Sequence, residues 1–202
     1  MKGKPDNYYD LAIVDPPYGI GVNKMTLGNG KNKIYRGQND WDNCIPTKEY
    51  FDELKRVSKH QVVWGGNYMT QYLIPTSAWL FWDKGTGAND FADGELAWTS
   101  FGGALRKINI SWVGANAKNG YKRIHPTEKP ILLYRWILTR HAIKGMKILD
   151  THGGSFTNAI ACDMEGFDLD IIEIDKVYFD NGLKAFDNYK KQLTLFNTTR
   201  NG

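Results

Sequence analysis

Apolar runs and polar, glycine-rich gaps alternate along the chain, and their spacing predicts the elements. Residues 10–14 (DLAIV) form a short apolar run that stops at a proline pair, the pattern of a buried strand. Residues 61–64, 78–82, 95–101 and 107–112 read as further strands, rich in Val, Ile, Trp and Phe. Helical spacing takes over at residues 47–59, where Thr47 can cap a turn and Tyr50, Phe51, Leu54 and Val57 share one face. The carboxyl-terminal part alternates more regularly: helix 130–142, strand 147–149, helix 157–165, strand 169–172, helix 178–190, then a polar tail. Strands alternating with helices predict an α/β sheet. Two long polar gaps, 19–42 and 83–94, interrupt the pattern, and loops of that length in compact domains are usually functional or disordered.

Composition narrows the class. A chain of 202 residues with 42% hydrophobic content suits one domain. The expected layout is a single domain over 1–190, with a half ending near 112, a second half from 125 to 190, and a flexible tail at 191–202. The apolar runs are too short to cross a bilayer, and the amino terminus lacks the apolar stretch of a signal peptide. Two cysteines are too few for a disulfide scaffold, so a cytoplasmic setting is expected. Charge is lopsided. Lys24, Lys31, Lys33 and Arg36 fall in an acid-free stretch at 19–38, and Arg106, Lys107, Lys118, Lys122 and Arg123 in another at 96–127. Beside glycines and aromatics, such stretches fit a surface that meets nucleic-acid phosphates, of DNA or of RNA. His60 and His141 join no metal-binding spacing, so no metal is expected.

The segment 147–173 reads as strand, glycine turn, helix, strand, with Asp150 at the first strand tip, Gly153, Gly154 and Ser155 in the turn and Glu173 after the second strand. Glycines admit a ligand to the backbone, and a helix amino terminus offers free N–H groups. Glu173 stands near the roughly 20-residue offset at which an acid accepts hydrogen bonds from a ribose diol. An adenosine-containing cofactor follows. The turn has no G-x-G-x-x-G, which disfavours a nicotinamide dinucleotide.

At the end of the first strand stand Asp15, Pro16, Pro17 and Tyr18. The prolines lock φ and remove two donors, so a carboxylate, a carbonyl and an aromatic ring are held in fixed directions. This tetrapeptide, His125-Pro-Thr-Glu-Lys-Pro130 and the downstream Asp-x-x-x-Gly-Ser turn together resemble the beta-class DNA amino-methyltransferases, especially compact phage-type members. The likeness extends to Trp64-Gly65-Gly66-Asn67-Tyr68, Trp82-Asp83-Lys84 and Glu95-Leu96-Ala97-Trp98-Thr99, and so covers most of the chain.

The resemblance implies a Rossmann-like S-adenosylmethionine-dependent methyltransferase fold: a mostly parallel mixed sheet with helices on both faces. It implies methyl transfer to the exocyclic amino group of a flipped-out adenine in double-stranded DNA, in bacteria or phage-infected cells. Asp15, Pro16, Pro17 and Tyr18 would be the catalytic set. Asp150, His152, Gly153, Gly154, Ser155, Glu173, Asp175, Thr127 and Lys129 would surround the cofactor, with Lys129 on its carboxylate. Lys24, Lys31, Lys33, Arg36, Lys118, Lys122 and Arg123 would hold DNA. Cytosine amino methylation is the nearest alternative, and a catalytically weakened nucleic-acid-binding relative the next. The weakened form is suggested by Phe156, which stands where the family usually has a glycine. Gln192, Leu193, Thr194, Leu195 and Phe196 resemble the short peptides that bind sliding clamps, although packing of the apolar members onto the body is the simpler expectation.

Overall fold

The computed structural model describes residues 1–21, 42–86, 92–111 and 123–198, with side chains up to residue 192. Seven strands form one sheet: β1 Tyr9–Val14, β2 Ser58–Trp64, β3 Leu80–Asp83, β4 Gly94–Thr99, β5 Arg106–Asn109, β6 Lys147–Asp150 and β7 Asp168–Ile171. Their spatial order is β5-β3-β4-β2-β1-β6-β7. β1 runs parallel to β2 and β6, β6 to β7, and β3 to β5, whereas β4 is antiparallel to both of its neighbours. Reversal of one strand makes the sheet mixed but mostly parallel, as expected.

The sheet is covered on both faces because successive side chains of a strand point opposite ways. Leu11 and Ile13 pack with Trp64, Trp82 and the buried face of helix α2, Ile131–His141. Ala12 and Val14 pack with Val63, Trp98 and Phe51, Leu54 and Val57 of helix α1, Lys48–Val57. Central strands buried on both faces read as continuous apolar runs, which is why β1 and β2 were legible. Helix α3, Thr157–Glu165, packs on α2 and β7, and α4, Lys176–Thr198, packs on α3.

Most boundaries shift by one or two residues from expectation, and three shifts are larger or have a visible local cause. α1 stops at Val57 because Ser58 is already extended (φ −128, ψ 138), its hydroxyl bonding the Leu54 carbonyl at 2.5 Å, and β2 starts there. β5 ends at Asn109 rather than 112. α4 runs to Thr198, so the expected tail from residue 191 is helical to that point. No glycine or proline interrupts residues 183–200, and Lys, Gln and Leu are good helix formers, so nothing in the composition stops the helix.

From β1 the chain moves to β2 on one side, and β6 leads to β7 on the other. In open α/β sheets, ligands settle outside the carboxyl ends of strands at such a reversal. That places Asp15, the residue after β1, and Asp150, the last of β6, at one end of the molecule on neighbouring parallel strands. Among the described residues, no helix is long and apolar enough to cross a membrane.

Candidate active site

The tetrapeptide leaves β1 with Pro16 buried and Asp15, Pro17 and Tyr18 partly exposed. Its exit is pinned by Asp42, which is 2% exposed and whose Oδ1 accepts the N–H groups of Tyr18 (2.9 Å) and Gly19 (3.0 Å). The Tyr18 ring lies directly on the backbone after β2. A Cβ on Gly65 would stand 2.2 Å from Tyr18 Cε1, and Gly65 has φ +65, so only glycine serves there. Tyr68, 45% exposed, stacks on Tyr18 with centroids 5.3 Å apart and planes 16° from parallel.

Around Asp15 the structure assembles charges from four elements. Lys129, 2% exposed, reaches Asp15 Oδ2 at 2.5 Å, Glu95 Oε2 at 3.1 Å and the Tyr18 hydroxyl at 3.1 Å. The Tyr18 hydroxyl donates to Asp15 Oδ1 (2.7 Å) and lies 3.1 Å from Glu95 Oε2. Lys84 holds the other Glu95 oxygen at 2.5 Å and lies 5.0 Å from the Trp82 ring centroid. Burial pushes the Asp15 carboxyl above its ordinary value against the opposing pull of Lys129, while Glu95 adds to the rise. Glu95 behaves differently. Burial pushes it up too, but Lys129 and Lys84 together hold it down at about 2. Lys129 stays above its ordinary value because Asp15 and Glu95 outweigh the cost of burying an ammonium. Lys129, expected on the cofactor carboxylate, lies in the structure against Asp15, expected in the catalytic set.

The second half of the site is the turn after β6. Asp150 is 1% exposed, and its oxygens accept the His152 N–H and the Asn158 side-chain amide, each at 2.9 Å. Burial raises its carboxyl to about 7. Asp150 thus fixes the turn, and both of its oxygens are engaged. Glu173 does the same from the loop after β7: Oε2 accepts the Gly154 N–H at 2.7 Å and Oε1 the Asp175 N–H at 2.8 Å. Asp175 caps α4 through the N–H groups of Val177 and Tyr178. His152 packs against Tyr50 and has its imidazole lowered to about 4 by burial. Ser155 is buried with its hydroxyl 3.2 Å from that of Thr157. His125 spans the halves. Its ring stands 3.6 Å from where a Gly154 Cβ would be, and Thr127 bonds its Nδ1 through both N–H (3.3 Å) and hydroxyl (3.1 Å).

Phe156 adopts φ +59 at the head of α3, yet its ring is 3% exposed. It packs inward on Gly153 and Gly182, where added Cβ atoms would approach within 2.8 and 2.5 Å, and edge-on to Phe179 at 5.5 Å. Of the expected DNA contacts, Arg123 is half-buried and already engaged in the structure. Lys24, Lys31, Lys33, Arg36, Lys118 and Lys122 lie outside the described residues, and so do the side chains of the clamp-like segment beyond Gln192. Sequence reasoning assigned no role to Glu95, Lys84, Tyr68 or Asp42. The first three fall inside segments that carried the family resemblance, which was the available signal; Asp42 carried none.

No family model matches the chain. It is 24% identical over 240 residues to the Type II methyltransferase M.HpaI of Haemophilus parainfluenzae, covering 96% of this chain and 75% of that protein. Among solved structures, the M1.HpyAVI–SAM complex superposes with a TM-score of 0.55 at 19% identity over 89% of each chain. The cytosine-N4-specific PvuII DNA methyltransferase superposes with a TM-score of 0.55 at 15% identity, covering 96% of this chain and 88% of its own. TTHA0409 of Thermus thermophilus, a putative DNA modification methylase complexed with S-adenosyl-L-methionine, gives 0.52 at 16%, covering 93% and 88%. Likeness at these identities is a likeness of fold.

Proposed function

We propose that the chain is an S-adenosylmethionine-dependent DNA methyltransferase acting on the exocyclic amino group of a flipped-out adenine. The observation that carries this reading is the placement of the Asp15-Pro-Pro-Tyr18 notch and the Gly153-Gly154 turn at the carboxyl ends of adjacent parallel strands, bridged by the His125–Lys129 segment. The turn fits the cofactor. Gly154, at φ +50, leaves its approach open down to the His125 ring, and a side chain there would narrow it. Gly153, Gly154 and Ser155 would hold the methionine part beside His125 and Thr127, and Glu173 would face the ribose. When bound, the cofactor supplies a methyl group on a sulfonium sulfur, already primed for displacement.

The protein's work is then alignment. An adenine amino nitrogen is a poor nucleophile because its lone pair is delocalised into the ring. The Asp15 carboxylate and the Pro16 carbonyl would accept its two N–H groups and favour a tetrahedral nitrogen, with the proline pair fixing their separation. Tyr18 would stack on the base, a contact worth ~1–3 kcal/mol in single-strand complexes. Extrusion from a duplex costs a few kcal/mol, a load the basic stretches at 19–38 and 96–127 would share by gripping phosphates. The Asp of the tetrapeptide favours adenine through the family resemblance. Cytosine is the second reading: its amino group presents the same two N–H donors, and the cytosine-N4-specific PvuII enzyme shares the fold.

Incubation with duplex DNA and cofactor bearing a deuterated methyl group, followed by mass analysis of the nucleosides, tests this directly. Label in deoxyadenosine is expected. Label in deoxycytidine would move the assignment to the second reading, and unlabelled nucleosides throughout would overturn both.

A further inference from the structure

We propose that Lys129 is a positioning residue for methyl transfer, holding one oxygen of the Asp15 carboxylate from the loop ahead of α2 and leaving the other for the target amino group. This rests on the function proposed above and adds a role within the same site. The geometry divides the carboxylate cleanly: Lys129 takes Oδ2 at 2.5 Å, and the Tyr18 hydroxyl donates to Oδ1 at 2.7 Å. In the free protein the Tyr18 O–H stands in for the N–H that the base would bring. When the base enters, Tyr18 can turn its hydroxyl to Glu95 Oε2, already 3.1 Å away, so Oδ1 is vacated without orphaning the phenol. The Lys129 bond to Oδ2 is untouched by that exchange.

The surrounding charges explain why a cation can stand so near the reacting nitrogen. Lys84, Glu95, Lys129 and Asp15 alternate in sign along a chain of contacts at 2.5, 3.1 and 2.5 Å. Their formal charges sum to zero, so Lys129 orients Asp15 without adding a net charge that opposes the one arriving on nitrogen. During transfer the nitrogen lone pair forms the N–C bond as the S–C bond breaks, and its electron pair stays on the neutral thioether sulfur. The resulting cationic nitrogen then gives one proton to Asp15 Oδ1, which passes it to water, while Lys129 remains protonated throughout.

Asp15 faces Lys129, Tyr18 and Glu95, with Tyr134 of α2 and Asp150 of β6 behind them. Removing the cation leaves burial and two neighbouring acids, all of which favour the protonated carboxyl. The test compares wild type, Lys129→Met and Lys129→Arg by single-turnover methyl transfer across pH and by calorimetric titration with S-adenosylmethionine. Lys129→Met should lose about 100-fold in rate at pH 7, in the range of other lost preorganised groups, and recover as pH rises. Its affinity for the cofactor should stay within about threefold. Lys129→Arg keeps the charge in the fold and should retain the wild-type acid limb with at most about a tenfold loss. Weakened cofactor binding with an unchanged saturated rate, in either variant, would assign Lys129 to the cofactor carboxylate and overturn the proposal. So would a Lys129→Met profile superposing on wild type. If Lys129→Met does not fold, the arginine variant decides by the same two readouts. Absence of transfer by the wild type would instead defeat the functional reading.

Discussion

Replacing Phe156 by glycine separates two effects that act in opposite directions at the cofactor turn. Phe156 sits in the left-handed region, φ 59 and ψ 20, which costs a side-chain-bearing residue ~1–2 kcal/mol. Glycine relieves that cost but adds ~0.5–1 kcal/mol of backbone entropy on folding. Against this, the ring is 3% exposed and packed on Gly153, Gly182 and Phe179, and losing such a buried phenyl group costs ~3–5 kcal/mol. The packing loss outweighs the strain relief, leaving a net destabilisation of about 3 kcal/mol. Urea denaturation followed by circular dichroism reads the midpoint. Because the ring turns into the body, calorimetry should show cofactor affinity within a few-fold of wild type. A more stable variant, or one that binds S-adenosylmethionine tenfold more tightly at unchanged stability, would refute the reasoning, since the ring would then be strained or standing in the cofactor's place.

Other consequences follow from the same geometry. Gly65→Ala places a methyl 2.2 Å from Tyr18 Cε1 at φ +65, so single-turnover transfer should fall at least about tenfold and stability by ~1–2 kcal/mol. Glu173→Ala orphans the Gly154 and Asp175 N–H groups, which should cost ~1–3 kcal/mol and weaken cofactor binding in calorimetry by more than about tenfold. Burial holds His125 at about 3 and His152 at about 4, both below the unfolded 6.5, so their stabilisation is full above pH 6.5 and is lost as pH falls toward those values. Asp150, raised from 3.8 to about 7 by burial, acts with the opposite sign, favouring the fold as pH falls from 7 to 4. Asp150→Asn should therefore steepen the acid loss of stability, measured as urea midpoints between pH 4.5 and 7.5.

What was legible in the chain was local. The apolar run into Asp15-Pro-Pro-Tyr18 announced a central strand and its rigid exit, because burial on both faces leaves a run with no polar interruption. The strand–glycine–helix–strand unit at 147–173 was read with the right elements for a similar reason. Spacing did not foretell that Asp150 and Glu173 also accept backbone and side-chain amides of the turn itself. Contacts across long sequence separations left no local trace. Lys129 meets Asp15 114 residues away, and Asp42 holds Tyr18 across 24, so neither pairing could be read from spacing. The ending of α4 was missed because a short segment of mixed polar and apolar residues without glycine or proline reads equally as a tail or as a helix.

Single-turnover transfer of a labelled methyl group to an adenine-containing duplex, at saturating cofactor, by wild type and Asp15→Ala tests the central claim most directly. The notch at the end of β1 is held to activate the base, so the variant should bind S-adenosylmethionine normally and lose at least about 100-fold in rate. An Asp15→Ala protein that methylates as fast as wild type would contradict it.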